Sequence, residues 1–251
     1  MPHDVITSLP LLLAAAFFAG ALNAVAGGGS FLTFPALVLS GVAPVAANAT
    51  GTIALLPGYL SSSWAYRDDM RQITRDSLRR LVALSLVGGA LGAALLLITP
   101  NDTFRRVVPW LLLAAAALFA AGPWLLAHVK RDGEARAIAH VLGVLAVSCY
   151  GGYFNGGLGI MLLALFGMLG HTQLNRMNGL KNLLSSVLTA IACSLYAWGG
   201  AILWREALAM MLAATLGGYV GGRAGRRIPA RLLRFAIVLV GLGMALLFFL
   251  R

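Results

Sequence analysis

Asn23-Ala-Val-Ala-Gly27-Gly28-Gly29-Ser30-Phe-Leu-Thr-Phe-Pro35 sets three consecutive glycines between two apolar runs. About 130 residues later Gly151-Gly-Tyr-Phe-Asn155-Gly-Gly157-Leu-Gly159-Ile160 interrupts an apolar region in the same way. Gly27 and Gly157, Gly29 and Gly159, and Asn48 and Asn178 are each 130 positions apart. Further along the offset slips by one, so that Gly88, Gly89 and Pro100 answer to Gly217, Gly218 and Pro229. A glycine-broken membrane segment repeated in two related halves is the sequence feature that best points to a transporter's substrate site.

Working outward, the composition restricts the class. Sixty per cent of the 251 residues are hydrophobic and only 11% are charged, too much apolar surface for the core of one soluble domain of this length. Several uncharged runs reach about 20 residues, enough to cross a hydrocarbon layer of about 30 Å. The expected class is all-α, a polytopic helical membrane protein. The first run lacks a basic leader and carries part of the repeat, which argues against a cleaved signal peptide. Cys149 and Cys193 lie inside apolar runs at a spacing that suggests neither metal nor disulfide. The net charge of +11 is read as topology, with Lys and Arg gathered in cytoplasmic loops, rather than as a nucleic-acid surface.

Apolar segments fall at 5–26, 31–41, 44–66, 80–98, 107–127, 138–156, 160–170, 178–199, 205–223 and 233–250. The two that follow the glycine breaks, 31–41 and 160–170, are too short to span alone at about 1.5 Å per residue. The charges test how the broken regions run. If each makes one crossing, the basic residues divide ten against nine between the two sides, with no bias. If each enters and returns on the same side, they divide fifteen against four. The second arrangement satisfies the positive-inside rule. Each half then crosses an odd number of times, so residues 1–130 and 131–251 form two inverted repeats of one membrane domain. The termini are expected outside.

Backbone that is not helical at membrane depth must be buried in protein or line a cavity. Glycine permits the turn and a ligand's close approach, and a helix starting after the break turns free N–H groups and its positive dipole end inward. Ser30 is expected to cap the first such helix. Two helix starts converging from inverted halves would suit an anion. For Gly88/Gly92 and Gly218/Gly222, at small-xxx-small spacing, tight helix packing is the preferred reading.

Polar residues inside the apolar segments are Asn23, Asn48, Thr50 and Thr52 in the first half, with Asn155, Asn178, Lys181 and Asn182 in the second. Such groups are costly in a membrane and usually face a cavity or another helix. Lys181 supplies a point charge to an oxyanion or else snorkels to the interface; Arg176 is read as an interface residue. All eight acids lie in loops or at segment edges, so no mid-span carboxylate is available for sodium or a proton relay. His140 and His171, at segment ends, are read as interfacial. There is no HExxH, nucleophile elbow, P-loop or paired carboxylate, so neither catalytic residues nor a metal or other cofactor is expected.

At these residues the chain resembles the sulfite exporter TauE/SafE family of membrane permeases. The matching stretches are Asn23 to Ser30 with Phe34-Pro35, Ala46 to Thr50, Gly151 to Gly159, and Asn178-Gly-Leu-Lys181-Asn182. The likeness covers essentially the whole chain. The second glycine cluster has fewer consecutive glycines than the first, so the half-sites are expected to contribute unequally. The resemblance implies a multi-pass protein of the prokaryotic cell membrane that moves sulfite, organosulfonates or related small anions; the residues alone reach only an anion. The expected mechanism is alternating access by a secondary carrier. Asn23, Gly27, Gly28, Gly29, Ser30, Asn48, Thr52, Asn155, Gly157, Gly159, Asn178, Lys181 and Asn182 form the expected substrate site. An anion channel and a non-transporting membrane scaffold are the alternatives. The expected partners are a small anion and the lipid bilayer, without nucleic acid, and a homo-oligomer is compatible with the sequence.

Overall fold

A computed structural model describes residues 5–25, 27–128, 135–168 and 173–224, with single positions between 239 and 249. Among the described residues there are nine helices and no strand: α1 (Val5–Val25), α2 (Ser30–Leu39), α3 (Pro44–Ala65), α4 (Arg75–Ile98), α5 (Asn101–His128), α6 (Ala135–Tyr153), α7 (Leu158–Met168), α8 (Leu174–Trp198) and α9 (Trp204–Ala224). Each follows one of the apolar segments. Helices α4, α5 and α8 begin four to six residues before the runs that start at 80, 107 and 178. Hydropathy marks where lipid or core begins, whereas backbone hydrogen bonds continue the helix into polar residues such as Arg75–Arg80. The 233–250 segment is almost wholly outside the described residues. So are His171, Pro229, Arg251, residues 129–134 and residues 225–234.

Local chemistry sets the helix ends. Pro44 opens α3, where its missing N–H costs nothing. Thr74 caps α4 by accepting from Ser77 N at 3.4 Å. Helices α2 and α8 close with matching turns. Gly41 (φ 84°) follows α2, with Gly41 N donating to Val38 O and Val42 N to Leu37 O. Gly200 (φ 66°) follows α8, with Gly200 N donating to Ala197 O and Ala201 N to Tyr196 O. Both are Schellman turns, which need a left-handed residue that glycine adopts without strain.

The packing is reciprocal between the halves. Helix α1 packs on α9 while α6 packs on α4, and α3 lies against α8. Glycines bring the first two pairs to backbone contact. A Cβ on Gly92 would stand 2.0 Å from Cys149 O, and one on Gly217 would stand 1.8 Å from Phe17 O. Gly88 likewise abuts Leu145 O, so the packing role expected for Gly88/Gly92 matches their surroundings. Gly218 faces Gly20 O across the α1–α9 contact, and the surroundings of Gly222 lie outside what the structure describes.

Helices α3 and α8 run antiparallel. Near the C-terminal end of α3, Arg176 donates to Gln72 Oε1, and Gly179 packs on Met70 and Tyr66. Near its N-terminal end, Leu203 N, just past α8, donates to Thr50 Oγ1 at 3.0 Å. One buried cluster draws Leu12, Phe34, Leu55, Phe104, Tyr196 and Met210 together from both halves. A second joins Leu81 and Val144 to Leu162, Leu184 and Leu188.

The outward faces are apolar as well. Val87, Leu91 and Leu95 of α4, and Leu208, Leu212 and Leu216 of α9, form exposed stripes at helical spacing. Trp64, Trp198 and Trp204 are exposed at helix ends, where amphipathic rings suit a membrane–water boundary. Helix α4 and residues 175–198 of α8 are each long and apolar enough to cross a membrane. An apolar exterior over this much surface is expected where lipid is the solvent.

Candidate functional site

Both glycine clusters fall between helices. Helix α1 ends at Val25 and α2 starts at Ser30, and α6 ends at Tyr153 before α7 starts at Leu158. Gly27 and Gly157, the pair matched by the 130-residue offset, share a φ of 76°, and Gly28 stands at 124°. L side chains rarely adopt this region, so these glycines permit the interruption.

The two breaks touch each other. A Cβ on Gly27 would lie 3.1 Å from Gly159 Cα, and one on Gly159 would lie 3.2 Å from Gly27 Cα. The same position on Gly159 is 3.3 Å from Lys181 Cδ. Lys181 is 1% exposed, on the second turn of α8, and no described residue offers it a carboxylate or a hydrogen-bond acceptor. Lys181 therefore lies buried beside the second break rather than at an exposed boundary. Arg176, one turn earlier, is only partly buried and reaches the α3–α4 connection.

The capping expected of Ser30 does not occur. Ser30 is the first residue of α2, its Oγ is buried without a partner, and Gly29 occupies the cap position with no side-chain bond. Asn23 takes that role from the preceding helix. Its Oδ1 accepts from Gly28 N at 2.9 Å and Gly29 N at 3.1 Å. Gly28 and Gly29 lie in the break just before α2, within reach of the last turn of α1, and Ser30 itself is already helical. The Gly28 and Gly29 donors are therefore occupied in this arrangement, and a ligand reaches them only if Asn23 turns aside. The second break has no such cover. Among the described residues, Gly157 N and Gly159 N find no acceptor. The half-sites differ in this respect.

Other expected site residues close the surroundings. Asn48 Nδ2 donates to Tyr153 O at 3.0 Å, tying α3 to the last residue of α6, and Thr52 is buried one turn further along. Asn155, within the second break, is 2% exposed, and both its Nδ2 and Oδ1 lack hydrogen-bond partners. Asn182 is buried beside Lys181 in sequence, and its carbonyl accepts from Ser186 Oγ. Asn178 is half-buried one turn nearer the α3–α4 connection.

Three features escaped the sequence reading. Tyr59 is buried on α3 within the larger apolar cluster. It shares a face with Asn48 and Thr52, a spacing of four and then seven residues that could have drawn attention to it. Ser185 and Thr189 extend the Asn178–Asn182 face of α8, and their hydroxyls are buried without partners. Phe34, in α2 beyond the first break, and Phe154, the first residue of the second, meet edge to face at 5.6 Å, with Phe104 and Tyr150 around them. An open cleft of about 370 Å³ between α3 and α8, lined by Leu60, Trp64, Arg67, Leu183 and Val187 among others, involves none of the expected site residues. Among the described residues, no three His, Cys, Asp or Glu side chains gather as metal ligands would.

What is assembled is two helix starts, a buried lysine and several carboxamides, with the described carboxylates elsewhere. This is an electropositive, donor-rich setting. The sequence pattern of the family described as sulfite exporter TauE/SafE matches residues 12–248. The chain belongs to that family of membrane proteins. It is 29% identical over 245 residues to the "Probable membrane transporter protein ORF9" of a Sinorhizobium species, covering 95% of this chain and 91% of the relative. It is 27% identical to the "Probable membrane transporter protein YfcA" of Escherichia coli K12, over 92% of this chain and 87% of the relative. A "Probable membrane transporter protein" of Haemophilus influenzae is 29% identical over 92% and 91% of the two chains. No solved structure matches the chain.

Proposed function

We propose that this protein is a secondary carrier that moves a small sulfur-containing anion, such as sulfite or an organosulfonate, across the cell membrane by alternating access. The observation that carries the reading is the contact between Gly27 and Gly159 beside buried Lys181, in a chain whose relatives bear the names of membrane transporters. The sulfur anion comes from the family's description; the site's chemistry supports anion. No enzymatic activity belongs to this reading.

In this proposal residues 1–130 and 131–251 are inverted repeats that make one membrane domain, and each broken segment enters and leaves on one side. Two placements support it. The equivalent helices α3 and α8 run in opposite directions, and Arg176 meets Gln72 of the basic 67–80 loop, two places that the fifteen-to-four charge division puts on one side. Substrate binds where the breaks meet, near mid-depth, and the halves rock around it. Lys181 supplies charge, the glycine amides supply backbone donors, and Asn23, Ser30, Asn48, Thr52, Asn155, Asn178 and Asn182 supply side-chain contacts.

The test is uptake of sulfite and methanesulfonate into proteoliposomes, with empty liposomes as the control. Saturable flux in wild type that Lys181→Met abolishes is the expected result. Non-saturating electrodiffusive flux would assign a channel, and no flux or binding of any small anion would leave a scaffold.

A further inference from the structure

We propose that the lateral cleft between α3 and α8 binds one anionic phospholipid, its phosphate held by Arg67 and Arg176 and an acyl chain lying in the cleft. This site is separate from the meeting of the glycine breaks and does not depend on the carrier reading.

The cleft holds about 370 Å³, within the range of about 300–1,000 Å³ where small-molecule sites fall. Its walls are matched faces of two helices. Leu60, Trp64 and Arg67, the last just past the end of α3, are spaced by four and three residues, and Leu183, Val187 and Ala190 of α8 repeat that spacing. At about 1.5 Å per residue each wall runs for about 10 Å, most of the roughly 15 Å of hydrocarbon in one leaflet. Leu60 and Trp64 are exposed, so the cleft opens sideways toward surrounding lipid. Ser186 also lines it, but its hydroxyl is spent on Asn182 O and offers water little. An apolar groove opening into a membrane takes up hydrocarbon.

Charge lies at one end of this groove. The Arg67 guanidinium sits 4.9 Å from the centre of the Trp64 ring, and its Nη1 donates to Trp64 O at 3.1 Å. These contacts fix it at the mouth of the cleft, while its side chain stays half exposed and its ion pair with Asp68 spans 3.9 Å. Because the helices are antiparallel, α8 begins at this same end. Arg176 precedes Leu183 by seven residues and so shares the face that forms the wall. Gly179, one turn later, packs on Met70, another residue of the lining. Arg176 Nη2 donates to Gln72, but its Nε is buried without a partner. A buried charged donor left alone is costly, and a phosphate oxygen is the acceptor that guanidinium groups match best. A groove for hydrocarbon that ends in two arginines fits a chain that ends in a negative head group, and basic pockets between membrane helices favour such lipids.

The experiment is native mass spectrometry of purified protein in detergent, titrated with phosphatidylglycerol or phosphatidylcholine of the same chain length. Wild type, Arg67→Gln/Arg176→Gln and Val187→Trp are compared, with melting temperatures measured alongside. Wild type is expected to hold one phosphatidylglycerol about tenfold more tightly than phosphatidylcholine. The double variant should lose that preference through a fall of about tenfold in phosphatidylglycerol affinity. Val187→Trp fills the cleft, leaves both arginines in place and should release the lipid. Equal binding of the two lipids by wild type, or wild-type phosphatidylglycerol affinity in either variant, overturns the proposal. A dimer that holds no phosphatidylglycerol and that Val187→Trp disperses would assign the cleft to a second copy of the chain and overturn it too. If the double variant does not fold, Val187→Trp decides alone: lost binding in a folded protein upholds the site.

Discussion

Gly27 and Gly159 meet backbone to backbone, each Cα within 3.2 Å of where the other's Cβ would be. They come from different halves of the chain, so the closest approach between the two breaks depends on hydrogen at both positions. Gly27→Ala adds strain at φ 76° to a contact with backbone that cannot yield, whereas Gly159→Ala, with no positive φ, meets only the contact. Both are expected to lower stability, Gly27→Ala by about 1–2 kcal/mol more, and both to abolish transport. Thermal unfolding in detergent gives the ranking; a wild-type melting temperature in Gly27→Ala would falsify the contact.

Asn23 separates stability from function. Its Oδ1 serves the Gly28 and Gly29 amides in the break before α2, so Asn23→Ala should cost about 1 kcal/mol. Asn23→Asp keeps the acceptor and places a negative charge at the helix's positive end, and its stability should equal or exceed wild type. That same carboxylate occupies the ground of an incoming anion, so transport should be lost. Unfolding curves beside proteoliposome flux test the pair, and an active Asn23→Asp protein would contradict it.

Lys181 is a buried charge with no described partner. Replacing it with Met keeps the packing against Gly159 and removes the desolvation cost, so the melting temperature should stay level or rise while anion binding disappears. Lys181→Ala loses the stem as well and should be less stable than Lys181→Met by about 2 kcal/mol. A Lys181→Met protein that binds sulfite like wild type removes the lysine from the site.

Glycines in helix interiors should divide by what surrounds them. A Cβ on Gly92 would overlap Cys149 O, and α4 would have to move off α6; Gly92→Ala should cost about 3 kcal/mol or more. Gly58, inside α3, has nothing within 4 Å, and Gly58→Ala should gain about 0.5–1 kcal/mol. Opposite shifts in melting temperature are expected, and shifts of one sign would mean that the α4–α6 contact is misplaced.

The helices were legible because their information is local: apolar runs, Pro44 and the Gly41 and Gly200 stops all act within a few residues. The pairing of the two glycine clusters was legible because their spacing matches in the sequence itself. The site was only partly so. Asn48 finds Tyr153, and Gly27 finds Gly159, across more than a hundred residues, and no window of sequence reports such a meeting. The same reason explains Ser30. Its spacing suits a cap, but Asn23, from the preceding helix, bonds the amides of the break instead. Tyr59 escaped because a tyrosine in an apolar helix ordinarily packs its ring, and its burial on the face of Asn48 and Thr52 appears only once the helices assemble.

The reciprocal packing of α1 on α9 and of α6 on α4 has a consequence for how the molecule is assembled. The first helix of each half packs on a late helix of the other, and one buried cluster takes residues from both, so the two hold each other as interlocked hands do. Residues 1–130 and 131–251 made as separate polypeptides should be unstable singly and should recover one complex when made together. A nick between α5 and α6 would then divide the chain without dividing the protein.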